Sequence, residues 1–75
     1  QAGDEDEVTD PLFGLVEQGD PEAPVILETL TRRYIERFRY SYAHACLNKW
    51  IEIDPDSVKA HHWRGWVRER LDRPE

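Results

Sequence analysis

The side chains best suited to chemistry in this 75-residue chain are its three histidines and one cysteine, namely His44, Cys46, His61 and His62. All four are zinc ligands by type, and a helical hairpin could supply them from two helices. Their spacing argues against such a site, because residues two apart on a helix differ by roughly 200° and adjacent residues also face different ways. No pair has the i, i+4 interval that places two ligands on one helix face. The sequence therefore predicts no metal and no cofactor, and Cys46 is interpreted as a small core residue.

A Cys–His nucleophile pair meets the same geometric objection. Such a pair needs a third group that orients the base, and the sequence offers none. The four glycines are isolated, at positions 3, 14, 19 and 65, so no glycine-rich phosphate loop is present. No serine stands in a nucleophile-elbow motif. The chain is therefore predicted not to be an enzyme.

The formal net charge of −6 is unevenly distributed. Residues 1–23 carry eight acidic and no basic side chains, whereas residues 24–75 carry eight acidic and ten basic ones, a balance of +2. This excess does not supply the clustered Lys and Arg that neutralise consecutive phosphates, so nucleic acid is not an expected partner. No apolar run approaches the roughly 18 residues of a membrane span, and no signal segment is recognised, so no membrane association is expected. A single cysteine excludes a disulfide-stapled scaffold and leaves the compartment open.

The first ten residues are acidic and nearly free of large apolar groups, so we expect residues 1–10 to be a disordered, solubilising leader. Asp10-Pro11 has the form of an N-cap followed by proline in the first helical turn. An apolar face comes next and stops at Gly19, so residues 11–23 are predicted to form a short capping helix and a turn. Two turns of helix are unstable alone and must pack on the next helix of the chain.

Three longer helices are predicted after Asp20-Pro21, the first reaching about Phe38 and the second ending at Asp54-Pro55. The third begins after a cap at Asp56 or Ser57. The link around Arg39 is so short that the first two helices must form an antiparallel hairpin. Each of the three helices carries an apolar stripe. The stripe of the first helix comprises Val25, Ile26, Leu27, Leu30, Tyr34, Ile35 and Phe38, and that of the second comprises Tyr40, Ala43, Cys46, Leu47, Trp50 and Ile51. The stripe of the third helix comprises Ala60, Trp63, Val67 and Leu71.

Small residues and an Asp-Pro boundary recur in the second half of the chain. Ala43 and Leu47 precede the segment IEIDPDS at residues 51–57, and AHHWRGW occupies residues 60–66. This pattern resembles the tetratricopeptide repeat (TPR), a 34-residue helix pair that carries a small residue where its hairpin closes and an Asp-Pro signature at its end. Gly65 matches the small residue that lets the first helix of a repeat approach its partner. The resemblance implies an antiparallel helix-pair repeat, a fragment of an α-solenoid, with residues 24–57 as one pair and residues 58–75 as the first helix of the next.

The departures from the family pattern have consequences. Thr31 stands where a smaller residue is usual, Trp50 where alanine is preferred, and Arg64 and Arg68 where Leu and Tyr are preferred, so wider helix spacing is expected at Trp50. A helix pair buries only one side, and stacking completes the core. We therefore expect the open end to be closed by a longer array, by the short helix after Pro11, or by self-association with a second copy.

The resemblance also implies a function as a non-catalytic protein–protein interaction module. First helices of successive TPR repeats line a concave groove, and the residues facing it here would be Glu28, Arg32, Ile35, Lys59, His62, Trp66 and Arg70. This set leans basic and aromatic, and Arg and Trp are frequent binding hot spots, so the expected partner is a protein or peptide segment with acidic groups. A carboxylate clamp is not supported, because Glu28 stands where such modules carry lysine. The alternative is a purely structural layer of a larger multidomain protein, in which these side chains form a solvated face.

Overall fold

The computed structural model describes residues 10–72, and all regular secondary structure within that range is helical. The four helices are α1 at Pro11–Glu17, α2 at Ala23–Glu36, α3 at Tyr40–Ile53 and α4 at Val58–Asp72. The prediction of an all-α chain with three main helices and a short one before them is confirmed. The leader expected over residues 1–10 lies outside the described residues except for Asp10.

Local capping signals set the bounds of α1. The Oδ1 atom of Asp10 accepts a hydrogen bond from the backbone N–H of Leu12 at 2.9 Å, so Asp10 is the N-cap. Gly19 has a φ of 86°, a conformation that costs glycine little, and its amide and the next one bond back into the last turn of α1. Asp10 also forms an ion pair with Arg33 of α2 at 3.5 Å. It therefore belongs to the folded body and not to the leader.

The starts of α2 and α4 depend on polar side chains. Asp20 accepts a hydrogen bond from the amide of Glu22 at 2.7 Å, which holds a turn, so α2 begins at Ala23 and not directly after Asp20-Pro21. Ser57 rather than Asp56 caps α4, because its Oγ atom accepts a hydrogen bond from the amide of Ala60 at 3.1 Å.

The end of α2 differs from the prediction. The amide of Phe38 bonds to the carbonyl of Ile35 at 3.0 Å, and the amide of Arg39 bonds to the carbonyl of Tyr34 at 2.8 Å. These two bonds form a Schellman ending that places Phe38 in the left-handed region, with a φ of 60°. Its ring is 78% exposed. The predicted position of Phe38 on the apolar stripe is therefore wrong.

Helix α3 lies in the middle, with α2 packed on one side as a helical hairpin and α4 on the other, while α1 packs on α2. Thr31 of α2 is fully buried, and its hydroxyl group has no hydrogen-bond partner among the described residues. Val25 and Leu71, which were expected in the stripes, are largely exposed. The buried core consists of Val16, Ala23, Leu27, Leu30, Ala43, Cys46, Leu47, Trp50, Ala60 and Val67.

One side of α4 is mainly polar and carries the exposed residues His61, Gly65 and Arg68. The half-buried Arg64 lies at its border and contacts Asn48 of α3. A Cβ atom built at Gly65 would meet nothing within 4 Å, so this glycine makes room for no neighbour in the described part of the chain. Helix α1 packs on α2 and does not cover this side. Val58 and Leu71 of α4 are nevertheless exposed, so closure of the open end by a longer array or by a second copy stays a prediction.

Candidate functional site

The seven residues predicted to face a groove lie together on one side of the molecule, along α2 and α4. A shallow cavity of about 320 Å³ lies between these two helices. Four of the seven predicted residues line it, and two others, Glu28 and Lys59, join the helices beside it. The lining residues are Arg32, Ile35, Glu36, His62, Trp63 and Trp66.

Glu28 connects the two helices through its carboxylate. Its Oε2 atom accepts hydrogen bonds from Lys59 Nζ at 2.9 Å and from Arg32 Nη2 at 3.2 Å. Both cationic side chains are more than half exposed, so these ion pairs contribute at most about 1 kcal/mol each to stability. Two cations on one carboxylate leave a local charge of +1. The Glu28 carboxylate thus orients the cations without cancelling the positive character of this end of the groove.

Trp66 and Arg70 contact each other on the α4 side of the groove. The guanidinium carbon of Arg70 lies 4.4 Å from the centre of the Trp66 ring, a cation–π contact. Trp66 remains 37% exposed, and its ring also meets Tyr40 edge-on at 6.0 Å between ring centres. Within residues 10–72, no carboxylate lies within ion-pair distance of Arg70. An aromatic surface and an available guanidinium are therefore held side by side.

Trp63 and Glu36 line the groove but were not among the predicted site residues. Trp63 was assigned to the core, and it does pack edge-on against Trp50 at 6.0 Å, yet it also forms the floor of the groove and lies 5.9 Å from Lys59 Nζ. Glu36 stands four residues after Arg32 on the same helix face. That spacing was a usable signal, because residues at i and i+4 are neighbours on a helix.

An aromatic pair, the exposed Phe38 and the half-buried Tyr40, lies next to the groove at the turn between α2 and α3. Phe38 lies edge-on to Tyr40 at 6.3 Å between ring centres, and Tyr40 in turn contacts Trp66. Phe38 combines a strained backbone with an exposed side chain, so burial of the ring does not offset the strain. The row Phe38, Tyr40 and Trp66 was not predicted, because Phe38 had been placed inside a helix.

The residues considered for metal or nucleophilic chemistry are dispersed. His61 Nε2 lies 2.8 Å from the carbonyl oxygen of Pro55, and His44 contacts Asn48. Cys46 lies in the core as predicted, where burial, reinforced by the negative charge of Asp10, raises the thiol pKa to about 12. Within residues 10–72, no three His, Cys, Asp or Glu side chains converge as metal ligands.

No helix among the described residues has the length and apolar composition needed to cross a bilayer. Comparison of the chain with protein-family models, with curated proteins and with solved structures gives no match.

Proposed function

We propose that this chain is a non-catalytic, TPR-like interaction module that binds a peptide or protein segment in the groove between α2 and α4. The observation that carries this proposal is the Trp66–Arg70 pair, because it offers a solvent-accessible ring and an unneutralised guanidinium in one concave surface. Trp and Arg at a concave site are the side chains that most often contribute large binding energies.

A 34-residue register supports the TPR-like part of the proposal. Asp20-Pro21 precedes Asp54-Pro55 by 34 residues, and in the same register Phe13 and Val16 of α1 correspond to Leu47 and Trp50 of α3. Val16 and Trp50 are both buried, and each is followed by an Asp-Pro turn. In this proposal α1 takes the place that the last part of a second helix has in a repeat pair.

The dimensions and charges of the groove favour a particular ligand chemistry. A volume of about 320 Å³ is at the lower end for binding pockets and fits one large apolar side chain. Arg32, Lys59 and Arg70 carry three positive charges against the two negative charges of Glu28 and Glu36, so a carboxylate next to the anchoring side chain is favoured. The proposed ligand is a segment with an aromatic or large aliphatic anchor and an acidic neighbour.

Selection from a random peptide library displayed on phage, followed by titration of the selected peptides, tests this proposal. The 75-residue chain is compared with an Arg32→Glu, Trp66→Ala variant shown by circular dichroism to remain folded. Lys49→Glu with Val58→Ala is the matched control, since it makes the same kind of change away from the groove. We expect the selected peptides to be acidic and to carry an apolar anchor. They should bind the groove variant at least about 30-fold more weakly than the unchanged chain, as for a hot-spot residue worth about 2 kcal/mol.

Equal binding by all three proteins would place the ligand elsewhere. Failure to select any peptide would refute groove binding and favour the alternative of a structural layer.

A further inference from the structure

A second polar cluster lies on the opposite side of α4 from the groove, between α3 and α4. Arg64 Nη1 donates a hydrogen bond to Asn48 Oδ1 at 3.0 Å. The same Asn48 amide group contacts His44 Nδ1 through its Nδ2 atom at 3.4 Å. Because Asn48 Oδ1 accepts from Arg64, Asn48 Nδ2 is the donor toward His44 Nδ1. The network therefore assigns the proton of the neutral His44 ring to Nε2, which becomes a donor.

The cluster carries unbalanced positive charge. Arg64 and Arg68 are four residues apart on one helix, an arrangement in which like charges destabilise the helix. Within residues 10–72, no carboxylate lies within ion-pair distance of either guanidinium. Partial burial and, after it, the charges of Arg68 and Arg64 lower the pKa of His44. The positive potential of both arginines thus reaches the His44 ring.

A shallow cavity of about 250 Å³ lies next to this cluster. Ser41 adds a hydroxyl to its lining, and Leu71 forms an apolar edge. The cavity itself offers the His44 ring and the Ser41 hydroxyl, and Arg64 adjoins it through Asn48, with Arg68 one helical turn further along α4. Within residues 10–72, no carboxylate is ion-paired with either guanidinium group. Arginine clusters of this kind are the usual means of recognising carboxylate or phosphate groups on partner segments.

We propose that His44, Arg64 and Arg68 form an anion-binding site that holds a carboxylate or phosphate group of an acidic partner segment. The site does not depend on the groove, since it uses the opposite surface of α4. It also gives Arg64 and Arg68 a common role, since two guanidinium groups on one side of α4 can donate to the same anion. The carboxylate and the phosphate share the same recognition chemistry, namely charge-assisted hydrogen bonds to negatively charged oxygen.

The test is a titration of the whole chain with inorganic phosphate and, separately, with a tetraglutamate peptide, at constant ionic strength. The ring resonances of His44 and His62 are monitored by nuclear magnetic resonance. We expect saturable shifts at His44 and none at His62. Arg64→Gln with Arg68→Gln should weaken binding about tenfold or more, because two charge-assisted bonds are lost. The matched control, Arg32→Gln with Arg70→Gln, removes the same charge from the groove side and should change affinity less than about twofold.

Each outcome of the titration is decisive. Binding of phosphate alone identifies a phosphate group as the ligand, and binding of the peptide identifies carboxylates. Equal weakening in both double variants would mean non-specific attraction to positive charge, and an unresponsive His44 would mean that no ligand reaches the cluster; either result overturns the proposal. Because Arg64 is half-buried and its loss can disturb folding, the exposed Arg68→Gln variant alone provides the same comparison against Arg70→Gln.

Discussion

Phe38→Gly should stabilise the protein relative to Phe38→Ala, although glycine destabilises almost every other position in a helical chain. Phe38 occupies the C′ position of α2 with a φ of 60°. A residue with a Cβ atom loses about 1 to 2 kcal/mol in this left-handed conformation, which glycine adopts without strain. Both substitutions remove the same exposed ring, so their difference isolates the backbone term.

The magnitude comes from two opposing terms. Relief of strain contributes about 1 to 2 kcal/mol, and the greater conformational freedom of glycine in the unfolded chain costs about 0.4 to 1 kcal/mol. Subtracting the midpoints of these two ranges leaves a net difference of about 0.8 kcal/mol in favour of Phe38→Gly. For a chain of 60 to 100 residues, about 1 kcal/mol shifts Tm by roughly 4 to 8 °C.

Thermal and urea unfolding monitored by circular dichroism measure this difference. A control at Thr29, which is exposed in the middle of α2, should show the opposite order, with Thr29→Ala more stable than Thr29→Gly by about 1 kcal/mol. If Phe38→Ala equals or exceeds Phe38→Gly in stability, the residue does not adopt a left-handed conformation in solution, and the reasoning about a strained α2–α3 turn is refuted.

Three further predictions concern buried or capping groups. Thr31→Val should raise the free energy of unfolding by about 1 kcal/mol in urea denaturation, because it replaces a fully buried, unpartnered hydroxyl by a methyl group of similar size; a loss of stability would mean that the hydroxyl is satisfied. Asp10→Ala should cost about 1 kcal/mol and increase hydrogen exchange in α1, since it removes the N-cap and the ion pair with Arg33, whereas Asp10→Asn should retain most of the cap. The raised thiol pKa of Cys46 favours the folded state up to the ordinary value near pH 9.0, and that stability should be lost as pH rises toward about 12; Tm measured from pH 8 to 11 should fall more steeply for the wild type than for Cys46→Ala.

Helix positions were predictable because the chain marks them with local signals. Asp10, Gly19, Ser57 and the Asp54-Pro55 boundary act within one or two turns of the backbone, so their effects are legible without knowledge of tertiary contacts. The α2–α3 turn lacks such a signal. Phe38 takes the position that glycine usually fills, and an aromatic residue at the end of an apolar stripe gives no indication of a left-handed conformation.

The sequence could predict which helix positions face the groove, but not the contacts between the residues at those positions. Apolar periodicity placed Ala60 and Val67 of α4 against α3, and the resemblance to TPR proteins placed Trp66 and Arg70 on a different side. Neither source indicated that Trp63 contributes to both the core and the groove, because a large ring at the border of a helix–helix contact reaches two environments. The interhelix contact between Glu28 and Lys59 also depends on the distance between α2 and α4, which a single sequence does not encode locally.

The composition of α4 is best explained by the separate demands on its three sides. One side supplies Ala60 and Val67 to the core, and this small buried contribution explains why α4 has weak amphipathicity compared with α2 and α3. Trp66 on the groove side and Arg68 on the opposite side are then accessible to solvent or to a ligand, together with their neighbours. A helix held mainly through one narrow stripe is stabilised by any ligand that also contacts the adjacent helix, because binding to the docked form alone shifts the equilibrium toward it. The two proposed ligands both meet that condition, since the groove also involves α2 and the anion site also involves α3, so each would strengthen the attachment of α4 through a different neighbour.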